Sequence, residues 1–298
     1  MGEVYKARDT RLDRTVAIKV LPAHVASDPD LRQRFEREAR AVSSLSHPHI
    51  CALYDVGQEA GTDYLVMEYL EGETLAARLE KGSLPIDQVL RFGIQIADAL
   101  EKAHRQGLVH RDLKPGNIMI TRSGTKLLDF GLATGTALES SPGRLSESPT
   151  VTSPLTAQGT LVGTFQYMAP EQFEAGKADA RTDLFAFGAV LYEMATGQKA
   201  FQGKTQASLI AAILKEAPTP ISELQPVAPP ALERVVKLCL AKDPEDRWQS
   251  AGDLKRELEW IEQAGSHAGV PAPAIVHRTR RAALPWIAAG ILPIAAVV

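Results

Sequence analysis

A chain of 298 residues, 45% hydrophobic and 23% charged, has room for one large domain or two small ones and no shortage of apolar side chains for a core. A formal net charge of −3 gives no general polyanion-binding signal, so nucleic acid is not expected as a partner. The two cysteines, Cys51 and Cys239, lie far apart in apolar runs, which argues against a disulfide or a cysteine metal site and fits reduced core residues of a cytoplasmic domain.

Residues 1–21 predict two strands joined by a polar turn near Asp9 to Arg14. In the second, alternation puts Val16, Ile18 and Val20 on one face and Ala17, Lys19 and Leu21 on the other. Lys19 inside an apolar strand calls for an anionic partner, unless its ammonium reaches solvent at the strand end. A helix follows, with Ser27 or Asp28 as cap, Pro29 in the first turn and an apolar stripe through Leu31, Phe35, Val42 and Leu45. Glu38 falls on that stripe and needs a cation, with Lys19 as the natural candidate, unless it only decorates a charged helix face. Residues 50–70 predict two more strands around a Gly61-Thr62 turn, then an extended segment from Glu68 to Leu70.

Beyond residue 70 the chain reads mainly as helix. One long helix covers 86–107 and closes on Gly107; another, over 182–197, is apolar nearly all round and should be buried, with Asp183 near its positive end. Further helices are expected at 204–216, 230–241 and 249–262. Between Leu132 and Gly163 the composition shifts to Ser, Thr, Pro and Gly, which predicts a long polar loop.

Groups able to do chemistry concentrate between His110 and Gly131. Residues 118–121 (IMIT) and 125–128 (TKLL) flank Arg122-Ser123-Gly124 and read as a hairpin, whose open end brings Asn117 and Asp129 side by side. An amide and a carboxylate there are hard oxygen donors suited to Mg²⁺, with Mn²⁺ as an alternative; such an ion takes its other ligands from water and substrate phosphates. Asp112, in HRDLKPGN, could accept a hydrogen bond from an attacking hydroxyl, and Lys114 could neutralise charge on a transferred phosphoryl group.

HRDLKPGN followed by DFG at 129–131, together with VAIK at 16–19, APE at 169–171 and KDPEDRW at 242–248, resembles the eukaryotic-type serine/threonine protein kinases. MAPEQ at 168–172 and the apolar tail give it the look of a bacterial, membrane-anchored branch. The likeness covers residues 1–262 and implies an α+β, two-lobed fold: a small β-rich lobe over 1–70 and a larger helical lobe over 71–262. It implies that Lys19, paired by Glu38, holds the α and β phosphates of ATP. Gly2, Val4, Ala17, Met67, Glu68, Leu70 and Met119 would line the nucleotide, the backbone of Glu68 to Leu70 facing adenine and Met67 guarding the back pocket. Core packing would account for Met67 as well. Asp112 and Lys114 become catalytic, Asn117 and Asp129 metal ligands, and Glu171 and Arg247 a buried structural ion pair, with Asp183 a further structural residue. Thr150, Thr152, Thr156 and Thr160 are candidate phosphosites whose phosphate could pair with Arg111; a solvated hydroxyl-rich linker is the other reading.

The expected activity is ATP-dependent phosphorylation of protein Ser and Thr hydroxyls, with self-phosphorylation on the 132–163 loop and a homodimer if one copy modifies another. A pseudokinase or scaffold is the alternative, since the family's glycine-rich loop survives only as Gly2-Glu3-Val4 and its first strand is missing. Residues 263–281 read as a juxtamembrane linker, and 282–298 carry no charge. Seventeen helical residues reach roughly 25 Å, so the stretch reads as a truncated span of a ~30 Å core, or else as a buried or disordered apolar tail. Arg278, Arg280 and Arg281 precede it, which predicts a single-pass plasma-membrane protein with its kinase domain in the cytoplasm. No signal peptide is visible at the N-terminus.

Overall fold

Strand pairing begins at the first described residues of the computed structural model, which covers 3–21, 29–130, 165–174 and 178–267. Gly2, Thr150, Thr152, Thr156, Thr160, residues 268–281 of the expected linker and the apolar stretch 282–298 lie outside the described residues. Strands β1 (Val4–Asp9), β2 (Arg14–Val20), β3 (Leu53–Glu59) and β4 (Thr62–Glu68) form an antiparallel sheet in the order β1-β2-β4-β3. The expected polar turn joins β1 to β2, where Asp9 Oδ1 accepts from the amides of Arg11 and Leu12 at 3.1 and 3.2 Å. Helix α1 (Pro29–Ser43) lies against β3 and buries Phe35, Ala39 and Val42, with Leu45 just beyond its end.

The second lobe opens with a strand that sequence periodicity did not reveal. β5 (Gly72–Thr74) is too short to show alternation, and it forms because β6 (Ile118–Thr121) offers it a pairing edge. With β7 (Gly124–Leu127) these make a three-stranded sheet ordered β5-β6-β7. A short α2 (Leu75–Leu79) follows β5, capped by Thr74 Oγ1, which accepts from Ala77 N at 3.1 Å.

Helices α3 (Ile86–His104) and α5 (Ala180–Thr196) form the centre of the lobe, with the short α4 (Pro170–Phe173) preceding α5. Every residue of α5 from Thr182 to Ala195 is buried, as its all-round apolar character requires. Gly188 allows that packing: a Cβ there would stand 2.4 Å from Cys239 Cβ on α8 (Pro230–Cys239). Gly197, at φ 72°, ends α5 in the left-handed conformation. Helices α6 (Gln206–Lys215) and α7 (Ile221–Leu224) cover one side, and α9 (Ala251–His267) runs along α3. α9 continues into the stretch read as linker from 263, because Gln263 and Ala264 are good helix formers and nothing stops the helix at Glu262. Among the described residues no helix is long and apolar enough to cross a membrane.

The lobes are joined through residues 47–51. Ile50 bridges Leu127, Cys51 N donates to Leu127 O at 2.9 Å, and Leu127 N donates to His49 O at 2.9 Å. Just before them, His47 Nε2 meets Asp98 Oδ2 on α3 at 3.1 Å, and Lys255 of α9 holds the other oxygen at 2.7 Å.

Arg247 and Glu171 form the expected buried pair. Both guanidinium Nη atoms reach the carboxylate at 2.8 Å, and Nε and Nη2 donate to the carbonyls of Ala241 and Lys242. Burial, the largest single effect, pushes the Glu171 carboxyl up, but the hydrogen bonds and charge of Arg247, a backbone hydrogen bond and the Thr182 hydroxyl together leave it below the ordinary value of 4.5. The stabilisation from this depressed acid is therefore full above pH 4.5 and is lost as pH falls through the lower folded value. Arg247→Met should cost about 3–5 kcal/mol in urea unfolding at neutral pH, since it strands a buried carboxylate. The gap between variant and parent should narrow as the pH drops below 4.5, and a gap that stays constant would contradict this assignment.

Candidate active site

The β6-β7 hairpin closes where its turn residues dictate. Thr121 Oγ1 donates to Gly124 O at 2.8 Å and accepts from Ser123 N at 3.2 Å, while Gly124 supplies a φ of 122°. The ladder pairs Ile118 with Leu127 and is extended at its open end by Leu128 N donating to Asn117 O at 2.9 Å. Asn117 and Asp129 thus flank one end of the hairpin, as the sequence predicts.

The loop that carries Asp112 is held from beneath by one buried charge. Asp183 is 1% exposed at the start of α5, and its carboxylate accepts from His110 N (2.7 Å), Arg111 N (2.8 Å) and His104 Nε2 (2.8 Å). Those donors compensate the cost of burying it, and in return they fix the backbone at 110–111. Arg111 sits at φ 64° and Asp129 at φ 52°, left-handed values that side chains other than glycine adopt only where surroundings impose them. His110 is fully buried; its Nδ1 accepts from Asp112 N at 3.4 Å, so Nε2–H donates to Leu128 O at 2.9 Å. The imidazole therefore ties the Asp112 loop to the strand leading into Asp129.

Asp112, Lys114 and Asn117 come together. Lys114 Nζ touches both Asp112 carboxylate oxygens at 2.8 and 2.7 Å, and Asn117 Nδ2 donates to Asp112 O (2.7 Å) and Oδ2 (2.9 Å). With its nitrogen spent on Asp112, Asn117 offers a cation its amide oxygen, and Asp129 offers a carboxylate. Among the described residues no group of three or more His, Cys, Asp or Glu side chains could hold a metal. One amide and one carboxylate fit an ion such as Mg²⁺ that takes its remaining ligands from water and phosphate.

The small lobe contributes Lys19, which stands beside Val4 across β1-β2, while Ala17 pairs with Met67 across β2-β4. Lys19 does not meet Glu38 as expected. Its Nζ lies 2.6 Å from Asp129 Oδ2, and Glu38 faces Arg111 at 3.8 Å. Met119 lies on β6 opposite Thr74 and Lys126, and Glu68 ends β4, with Leu70 two residues beyond.

Four contributors were missed. His104 has no motif signal, and only the fold brings it to Asp183. Gln172 Nε2 reaches Arg111 O at 3.4 Å, tying α4 to the loop that carries Asp112. Cys51 Sγ lies 3.6 Å from Glu68 O; burial, then the Glu68 charge, pushes its thiol up to about 12, so it is an inert neighbour of that carbonyl. Lys126 pairs with Glu68 at 2.9 Å, and it had the same signal as Lys19: a lysine inside an apolar strand.

A family model of the protein kinase domain matches residues 1–259. The chain belongs to the protein kinase family. Serine/threonine-protein kinase PknB of Mycobacterium leprae is 38% identical over 293 residues, covering 95% of this chain and 44% of that protein. A Streptomyces coelicolor protein named a probable serine/threonine-protein kinase is 40% identical over 265 residues, covering 87% and 38%. The crystal structure of the PknI kinase domain of Mycobacterium tuberculosis matches with a TM-score of 0.67 at 28% identity, covering 89% of this chain and 91% of that one. This protein kinase chain thus spans less than half the length of the curated relatives it matches and nearly all of a solved kinase domain.

Asp183→Asn removes the charge that His110 N and Arg111 N share. It should cost about 1.5–3 kcal/mol, the range for hydrogen bonds to charged groups, and speed amide hydrogen exchange at His110 and Arg111 well beyond its effect on α8. Uniform acceleration across the lobe would assign Asp183 to general stability alone.

Proposed function

We propose that this chain is an ATP-dependent serine/threonine protein kinase that transfers the γ-phosphate to protein hydroxyls and modifies its own 132–163 loop. What carries the reading is the Asp112–Lys114–Asn117 cluster, next to which the end of the hairpin sets Asp129 with its partner Lys19: a carboxylate, two ammonium groups and a pair of metal donors. Asp112 orients a Ser or Thr hydroxyl and takes its hydrogen bond, and Lys114 balances the γ-phosphate charge. Lys19 draws the α and β phosphates. Asn117 and Asp129 hold the divalent cation, which screens the phosphate charges. Rate enhancement comes mainly from alignment and charge neutralisation, since phosphoryl transfer asks little covalent chemistry of the protein. Binding must part Lys19 from Asp129, and Glu38, the acid on the buried stripe of α1, would then receive it.

Arg111 supports the regulatory part. Among the described residues its buried Nε has no hydrogen-bond partner, and its Glu38 contact, at 3.8 Å, is longer than a hydrogen bond, so the guanidinium has donor capacity for a phosphate. Phosphate on Thr150, Thr152, Thr156 or Thr160 would draw Arg111 and release Glu38 toward Lys19. Attachment to a membrane through 282–298 belongs to the same proposal, as do protein substrates and a homodimer for phosphorylation between copies.

Intact mass of the full chain before and after Mg-ATP, beside Asp129→Asn and Asp112→Asn, tests the proposal. Gains in steps of one phosphate, mapped to 132–163 and lost in both variants, are expected. Nucleotide binding with no phosphate gained on the chain would favour a scaffold instead.

A further inference from the structure

His47, in the link between the lobes, has both ring nitrogens engaged and one proton to divide between them. Nε2 lies 3.1 Å from Asp98 Oδ2 on α3, and Nδ1 accepts from His49 N at 3.2 Å. An acceptor at Nδ1 leaves the proton on Nε2, so the ring is held as the neutral tautomer that donates to Asp98. His49, its ring edge-on at 5.6 Å, continues the seam: its Nδ1–H donates to Thr125 O on β7 at 2.9 Å. The other charges near the ring come from two helices. Lys102 lies on α3, and on α9 Lys255 holds the second Asp98 oxygen at 2.7 Å, with Glu259 3.9 Å from Lys255 and Glu101 of α3 also near it. Only 12% of the His47 side chain is exposed. Burial pushes its imidazole down, the Asp98 charge pulls it up, and His49 and Lys102 add to the lowering, so that it ends below the ordinary 6.5.

We propose that His47 is a proton-sensitive tether between the inter-lobe link and α3, closed while its ring is neutral and opened when Nδ1 takes a proton. A protonated Nδ1 cannot accept, so two N–H groups would meet head on and the His49 amide would be expelled. That residue begins the seam itself, since Leu127 N donates to His49 O and Cys51 N to Leu127 O. Acid therefore loosens the joint through which the small lobe rests on the large one. A depressed imidazole contributes stability that is full above 6.5 and is lost as pH falls through its lower folded value. Lys255 tunes the point of release, because its charge on Asp98 weakens the hold of that carboxylate on an imidazolium. No nucleotide takes part, so the tether stands or falls independently of phosphoryl transfer.

The test is NMR of the full chain from about pH 7 to about pH 5, following the His47 ring titration and the hydrogen-exchange protection of the His49 amide, beside His47→Asn, Asp98→Asn and Lys255→Met. In the parent, the His49 amide should lose about fivefold or more of its protection over that range, while the Leu240 amide at the end of α8 loses less than about twofold. The His47→Asn side chain can still accept from the amide two residues on but takes no proton there, so protection at His49 should change by less than about twofold. Asp98→Asn should lower the midpoint of the ring titration, and Lys255→Met should raise it. A midpoint above 6.5, protection at His49 that stays flat in the parent, or equal loss at His49 and Leu240 overturns the tether. So does a His47→Asn chain that loses protection with acid as the parent does, or a midpoint that neither neighbouring substitution moves.

Discussion

A single buried carboxylate sets the geometry on which the candidate site depends. Asp183 is enclosed at the start of a helix whose next turns are wholly buried, and an ionised group there must be met by donors. Two come from consecutive amides of the loop that carries Asp112 and one from the end of α3, so the loop cannot shift without stranding a charge. The left-handed backbone at Arg111 is held at the same place. Asp112 therefore inherits its position from the packing of α5, which in turn needs Gly188 to approach α8.

Around that fixed loop, Lys19 pairs with Asp129 at 2.6 Å and Arg111 lies 3.8 Å from Glu38, all four side chains partly exposed, so that added phosphate or cation charge would compete for them. The contrast is physical. Asp183 and Arg247 are buried with every tie made and serve as scaffold, while Lys19 and Arg111 retain choices and suit groups that respond to ligand or phosphate.

Most of this was legible in the sequence because its strongest signals are local. The hairpin was marked by β-branched runs around Ser-Gly, α5 by its continuous apolar content, and the Glu171–Arg247 pair by family motifs far apart in the chain. What stayed hidden depends on tertiary placement. β5 is too short for periodicity and exists only as a partner for β6, and His104 becomes relevant only once α3 ends beside α5. In this structure Lys19 meets Asp129 rather than Glu38, and the sequence could not show that, because a stripe position on α1 says that Glu38 needs a cation and leaves open which one. Lys126 was legible by the rule that singled out Lys19, a charge inside a strand, and it was hidden only by lying between two better-known motifs.

If the clustered Asp112, Lys114, Asn117, Asp129 and Lys19 transfer phosphate to a hydroxyl, the products of ATP turnover must show it. Phosphorus NMR of the full chain with Mg-ATP and a Ser/Thr peptide follows every product at once. The account predicts ADP and phosphoester appearing in equal amounts, with free phosphate far behind, and both lost in Asp112→Asn. Bound ATP that stays intact, or that yields ADP and free phosphate without any phosphoester, would contradict it.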